Sequence, residues 1–305
     1  MTDLALFQTV VAFFFGLIIG SFLNVCITRI PEGTSIVSPR SRCPQCLSPI
    51  KPYDNIPVVS WLFLRGRCRD CRAPISAMYP AIELATALVF VACYLCFGFN
   101  VPALKWTFFS CILIVLVVTD FRHRILPDVV NWFGVGVGLA FAAYVPPVYG
   151  VAPVLLRPFI SLPRWTLGLL DALLGAAFCG GLLWLTAFLY KRVRHREGMG
   201  FGDVKMMFMV GTFFGLRGAF LTILLGTLLG TVVGVTTIAF LFASGWKAAL
   251  AERASKMGLG GVAALRWAIA SRYQLPLGSF LGVAALLVTF FSPLTLSRCS
   301  VLPFV

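Results

Sequence analysis

Six residues in this chain have the type and the spacing to do chemistry. Two are aspartates at the edges of apolar runs. Asp120 lies in Thr119-Asp120-Phe121-Arg122-His123-Arg124-Ile125-Leu126-Pro127-Asp128, and Asp203 lies in Gly200-Phe201-Gly202-Asp203-Val204-Lys205. Four are cysteines in two CxxC pairs, Cys43-Pro44-Gln45-Cys46 and Cys68-Arg69-Asp70-Cys71. An acid at the mouth of a membrane segment is costly unless water, a partner or a function keeps it there. Two facing carboxylates can share one proton, because like charges at close range do not both ionise easily. One then acts as general base on a water while the other, protonated, polarises a peptide carbonyl. Taken alone, the Gly200–Lys205 stretch fits an N-capping aspartate at a helix start equally well. Its glycines allow a tight turn and a close approach to another chain.

The four cysteines complete a closed tetrahedral zinc site, and paired knuckles around a hairpin-like insert are its usual sequence form. A redox pair is the rival reading. Zinc here is structural, because four cysteines leave no open position for catalysis. The chain has only two histidines, His123 and His195, and no HExxH motif. A loop with few large apolar residues needs such a staple to fold.

Other ionisable residues compete for roles near the aspartates. Asp128 follows Pro127 and is expected to cap the next helix. His123 is expected to be a solvated loop residue. Asp171 falls at the far end of its span. Glu83 lies where it could line the site, and Lys205 could meet phosphate headgroups or steer an acidic group.

The elements that must position these residues are membrane spans. The chain of 305 residues is 59% hydrophobic and 12% charged, with mean hydropathy +0.94, about half the charge of a soluble protein. The solvent for most of it is therefore lipid. The net charge of +14 invites a nucleic-acid partner, but the basic residues sit in the gaps between apolar runs, so none is expected. The N-terminus has no positive stretch before its first apolar run, which argues against a cleaved signal peptide.

The expected fold is an all-α polytopic membrane protein of about eight transmembrane helices. The spans run near Leu4–Ile27, Met78–Phe97, Val101–Thr119, Val129–Val145, Leu167–Tyr190, Val204–Leu216, Gly218–Ala243 and Leu277–Leu296. The sixth is short for a full crossing. The gaps after odd-numbered spans hold 8, 2, 5 and 5 Lys or Arg, against 1, 2, 1 and 1 after even-numbered ones. That asymmetry puts the odd gaps in the cytoplasm. Asp120 ends a span running inward and Asp203 begins one running outward, so both fall at the cytoplasmic face.

Three units follow: residues 1–28 as the first helix, 29–77 as a cytoplasmic zinc loop, and 78–305 as the membrane core. Gly226, Gly230 and Gly234, like Gly134 and Gly138, repeat every four residues, a spacing that lets membrane helices approach closely. Residues 146–165 are proline-rich and read as an irregular external loop. Residues 246–273 mix Trp246 and Trp267 with five basic residues and read as helical pieces on the inner membrane surface.

Four stretches together resemble the prepilin peptidases, or type IV leader peptidases. They are Gly20-Ser21-Phe22-Leu23-Asn24-Val25 with Arg29-Ile30-Pro31; the cysteine loop with Tyr53-Asp54-Asn55-Ile56-Pro57, Ser60-Trp61, Tyr79-Pro80 and Glu83-Leu84; Asp120 with Ile125-Leu126-Pro127-Asp128; and Gly200–Lys205. The resemblance implies an aspartic peptidase of the GxGD type in the bacterial inner membrane. Asp120 and Asp203 match its catalytic pair. Its substrates would be type IV prepilins or type II secretion pseudopilins, cut at the cytoplasmic face just before their apolar helix. The cysteine loop further implies N-methylation of the new N-terminus with S-adenosylmethionine, at residues the resemblance does not place. The alternative is a proton-coupled transporter, in which paired acids move ions. The chain departs from the family before its last span, where Leu275-Pro276-Leu277-Gly278-Ser279 stands in place of the frequent Pro-Phe-Gly-Pro.

Overall fold

The computed structural model describes residues 3–145, 150–156, 162–195, 199–243 and 276–291. The basic insert at 246–273, with its expected surface helices, lies outside the described residues. The described chain is helical: α1 (Asp3–Arg29), α2 (Val59–Phe63), α3 (Met78–Phe97), α4 (Val101–His123), α5 (Asp128–Tyr144), α6 (Val151–Leu156), α7 (Arg164–Arg194), α8 (Phe201–Ala243) and α9 (Leu277–Phe291). Local chemistry sets several ends. The Asn100 side chain accepts from the Ala103 amide at 3.0 Å, with Pro102 in the first turn, and so starts α4. Gly98 ends α3 at φ 70°, a conformation glycine adopts without steric cost.

Five helices are long and apolar enough to cross a membrane: Asp3–Arg29, Met78–Phe97, Val101–His123, Arg164–Arg194 and Phe201–Thr237. Asp128–Tyr144 and Leu277–Phe291 are shorter apolar helices. This is fewer than the eight expected spans, for two reasons. Two apolar helices are short, and the expected sixth and seventh spans join in α8. Gly215 interrupts α8 with φ 69° and ψ −170°.

The neighbours of α8 show what that interruption does. In its first segment, Met209 lies against Gly134 and Thr212 against Gly138, so it runs parallel to α5. Gly211 meets Ala176, and Phe208 meets Gly180, so it runs antiparallel to α7. In the second segment Gly226 lies against Leu281 and Gly230 against Phe280, antiparallel to α9. Helix α9 in turn runs antiparallel to α4, with Gly278 beside Asp120 and Gly282 beside Val117. The first segment therefore leads away from Asp203, and the second returns toward the same end.

Close approach needs small residues. A Cβ at Gly211 would lie 2.4 Å from the Ala176 amide, and one at Gly16 2.5 Å from the Ala87 Cα. Between these seams Phe109, Phe213, Met206 and Met209 are fully buried, with the Phe109 and Phe213 rings 4.5 Å apart. On the outer faces Phe7, Phe14, Phe15 and Ile18 of α1 and Trp184 and Phe188 of α7 are exposed, as lipid-facing side chains are.

The stretch expected to be an irregular loop at 146–165 contains α6. Its first amides are capped by Asp171, whose Oδ1 accepts from Val151 N at 2.6 Å and Ala152 N at 3.2 Å. Asp171 is thus a buried structural cap.

Candidate functional site

The structure brings Asp120 and Asp203 together from positions 83 residues apart in sequence. Asp120 sits in the last turns of α4, which runs past it to His123. Asp203 is the third residue of α8, its amide closing a turn onto the Gly200 carbonyl at 3.2 Å. Both are buried, at 6% and 7% exposure. Gly278, in the first turn of α9, is the third wall. A Cβ there would sit 2.9 Å from Asp203 Oδ1, 3.0 Å from Asp120 Oδ2 and 2.9 Å from Leu126 Cδ1. One carbon-sized volume therefore touches an oxygen of each carboxylate. Gly202 packs as closely, its missing Cβ facing Leu126 at 2.9 Å. Gly202 thus serves close approach to the loop after α4.

The neighbouring ionisable residues are placed elsewhere. Asp128 makes no capping hydrogen bond, contrary to expectation; its Oδ2 accepts from Lys205 Nζ at 2.7 Å on an exposed face. This pair ties the start of α5 to the start of α8 and accounts for both residues. His123 is exposed at the end of α4. The Glu83 carboxylate accepts from the Val58 amide at 2.7 Å, so it anchors the cysteine loop onto α3. The sequence reading missed Ser279, whose amide and hydroxyl both reach Asp120 Oδ2, at 2.6 and 2.8 Å. A Gly-Ser pair opening an apolar run was the available signal, but nothing local says which residue lies opposite.

The cysteine loop folds as two matching knuckles. Cys43 N donates to Ser48 O and Leu47 N to Cys43 O; Cys68 N donates to Ala73 O and Arg72 N to Cys68 O. Bridges Arg42–Pro49 and Arg67–Pro74 flank them, and Leu47 and Arg72 share a positive φ near 60°. The sequence carries this symmetry as Arg-Cys-x-x-Cys-x-x-Pro-Ile, at 42–50 and again at 67–75, a repeat the spacing of the cysteines alone did not reveal. The insert is not a hairpin. It holds a 3-10 turn, Pro52–Asn55, and α2. Arg69 clasps Asp54 with both a 2.8 Å and a 2.6 Å hydrogen bond, joining the insert to the second knuckle.

The four sulfurs lie within 4.8 Å of one another, with Cys43 and Cys71 at 3.8 Å. Four thiolates on one zinc ion at about 2.3 Å would stand roughly 3.8 Å apart, so the cluster is compatible with a metal site. Hydrogen bonds from Ser48 pull the Cys46 thiol down to about 6. Although an Ala73 amide hydrogen bond opposes it, desolvation together with the other thiols pushes Cys71 up to about 12.

Comparison with known proteins adds two kinds of likeness. Residues 14–97 match the family described as Bacterial Peptidase A24 N-terminal domain, and residues 107–235 match the Type IV leader peptidase family. The chain is 37% identical over 223 residues to a prepilin leader peptidase/N-methyltransferase of Myxococcus xanthus, covering 73% of this chain and 61% of that protein. It is 35% identical over 250 residues to the Aeromonas hydrophila protein of that name, 74% and 80% covered. The corresponding Bacillus subtilis protein is 33% identical over 230 residues, 74% and 83% covered. No solved structure matches significantly.

Proposed function

The chain belongs to the type IV leader peptidase family, and from that membership we propose that it is a membrane-bound aspartic peptidase that removes prepilin leaders and methylates the new N-terminus. The observation that supports the peptidase site is the shared volume at Gly278, bracketed by oxygens of Asp120 and Asp203. A peptide carbonyl and its attacking water brought up to these two carboxylates would meet a base and an acid at once. The transporter alternative draws no support from the family or from the relatives' names.

In this reading the chain crosses the bacterial inner membrane eight times. The crossings are α1, α3, α4, α5, α7, the two segments of α8 and α9. The excess of Lys and Arg in the odd gaps puts the dyad and the cysteine loop in the cytoplasm. A prepilin presents a basic leader to the cytoplasm and an apolar helix to the bilayer, so its scissile bond arrives at that interface. Pseudopilins share this layout and belong to the same substrate class. Residues 1–28 and 78–305 form the membrane part, and 29–77 the appended loop. Cys43, Cys46, Cys68 and Cys71 hold one zinc ion, which fixes the loop. S-adenosylmethionine supplies the methyl group.

Purified protein in lipid nanodiscs, incubated with a full-length prepilin and S-adenosylmethionine, tests the proposal. Mass spectrometry should find mature pilin shortened by its leader and heavier by one methyl group. An uncut prepilin would overturn the peptidase reading; a cut but unmethylated one would remove the transferase. Gly278→Ala should lower cleavage by about 10²-fold, since a small misplacement of reacting groups costs that much. Thermal unfolding should change little, because the methyl meets side-chain oxygens and a leucine rather than backbone. Full activity in that variant would mean the pair tolerates being wedged apart.

A further inference from the structure

Asp120 and Asp203 do not share equivalent surroundings. Asp120 Oδ2 accepts from the Ser279 amide at 2.6 Å and the Ser279 hydroxyl at 2.8 Å. The hydroxyl also lies 3.2 Å from the Val117 carbonyl, but an ionised carboxylate is the stronger acceptor. Ser279 is the third residue of α9, so its amide is one of those with no partner inside the helix. The positive end of the helix faces the same carboxylate. Among the described residues, the Gly200 amide is the one donor found beside Asp203.

Charged groups on the other packed elements are engaged or distant in role. Arg29 of α1 donates to the Ser35 and Pro39 carbonyls. Glu83 of α3 accepts from Val58, and Lys205 of α8 is paired with Asp128 of α5. Arg122, His123 and Arg124 follow Asp120 on its own element, exposed. The described part of α9 carries no ionisable side chain.

We propose that Ser279 is a positioning residue that keeps Asp120 the ionised member of the pair and leaves the proton on Asp203. This rests on the peptidase reading and assigns the two roles that reading leaves open. Asp120 takes a proton from the attacking water as the water oxygen bonds to the carbonyl carbon. Asp203 gives its proton to the carbonyl oxygen. On collapse the C–N bond breaks, Asp120 returns its proton to the leaving nitrogen, and a hydroxyl proton of the intermediate restores Asp203. One water is consumed, and an acid and an amine are formed.

The test is the pH dependence of kcat/KM for prepilin cleavage by the full chain in nanodiscs. Ser279→Ala removes the hydroxyl donor and should move the acid limb up by about one pH unit, as expected for a hydrogen bond to a charged group. Ser279→Pro removes both donors at a position where a helix tolerates proline and should move it further. Ser279→Thr keeps both donors and should restore the wild-type limb. Losses should be steep below the limb and shallow above it. An acid limb that stays in place in Ser279→Ala while the rate falls equally at every pH would overturn the assignment. If the proline variant fails to fold, the alanine and threonine variants decide. Asp120→Asn and Asp203→Asn run alongside: if both are inactive and the limb does not move, only the role of Ser279 falls. If either cleaves at the wild-type rate, the peptidase dyad falls with it.

Discussion

Asp120→Asn is expected to lower prepilin cleavage by about 10³-fold or more, and Asp203→Asn by as much, since each removes half of a general acid–base pair. The substitution keeps size and shape. An amide at 120 still accepts from Ser279 but cannot take a proton from water. One at 203 can donate to a carbonyl oxygen but has no proton to cycle. Because the two carboxylates act on one bond, the double variant should lose little more than either single one. Single-turnover cleavage of prepilin in nanodiscs measures this. Thermal unfolding of the same preparations should show intact folds, since an uncharged amide of the same shape lowers the cost of burial at either position. Wild-type cleavage by either variant would place the proton chemistry elsewhere.

The second large effect concerns the metal. Replacing Cys43 and Cys46 together by serine leaves two thiols, too few for a closed tetrahedral site. Binding of structural zinc is worth on the order of 10 kcal/mol of folding free energy in small domains. Apart from short-range turn and knuckle bonds, residues 29–77 bury little apolar surface. Their longer-range ties are polar, such as the Arg69–Asp54 clasp, the Trp61 hydrogen bond to the Ile75 carbonyl at 3.1 Å and the Val58–Glu83 bond. Metal analysis should fall from about one zinc per chain to near none. Limited trypsin digestion should then cut at Arg65 or Arg67 while the helices remain. A loop that resists trypsin when metal-free would refute the zinc staple.

Much of the frame could be read from sequence because membrane helices are written in apolar runs. Met78–Phe97 coincides with its run to the residue. The charge asymmetry brought Asp120 and Asp203 to one end without either motif being consulted. What escaped reading depends on distance in the chain. Ser279 meets Asp120 across 159 residues, and a helix start looks the same whatever lies opposite it. Gly278 reads as a small residue until the carboxylates appear beside it. The Lys205–Asp128 pair displaced a local capping rule by joining two helix starts 77 residues apart. The break between the sixth and seventh spans was read within a residue or two of Gly215, but its tightness was not: a single glycine at positive φ turns the chain with no loop between the two helical segments.

That reversal at Gly215 bears on the lipid as well as on the protein. From Phe201 to the break is roughly 20 Å of helix at 1.5 Å per residue, while the hydrocarbon layer is about 30 Å deep. The companion α5 is short as well. In the proposed topology the first segment of α8 is buried in protein. It is the lipid beside α5, whose Trp132 and Phe133 face outward, that would thin to meet a short helix, leaving a dimple in the leaflet near the start of α5. A substrate helix drifting into that dimple would have its first residues lifted clear of the acyl chains, exposed to water before any of its own turns had unwound.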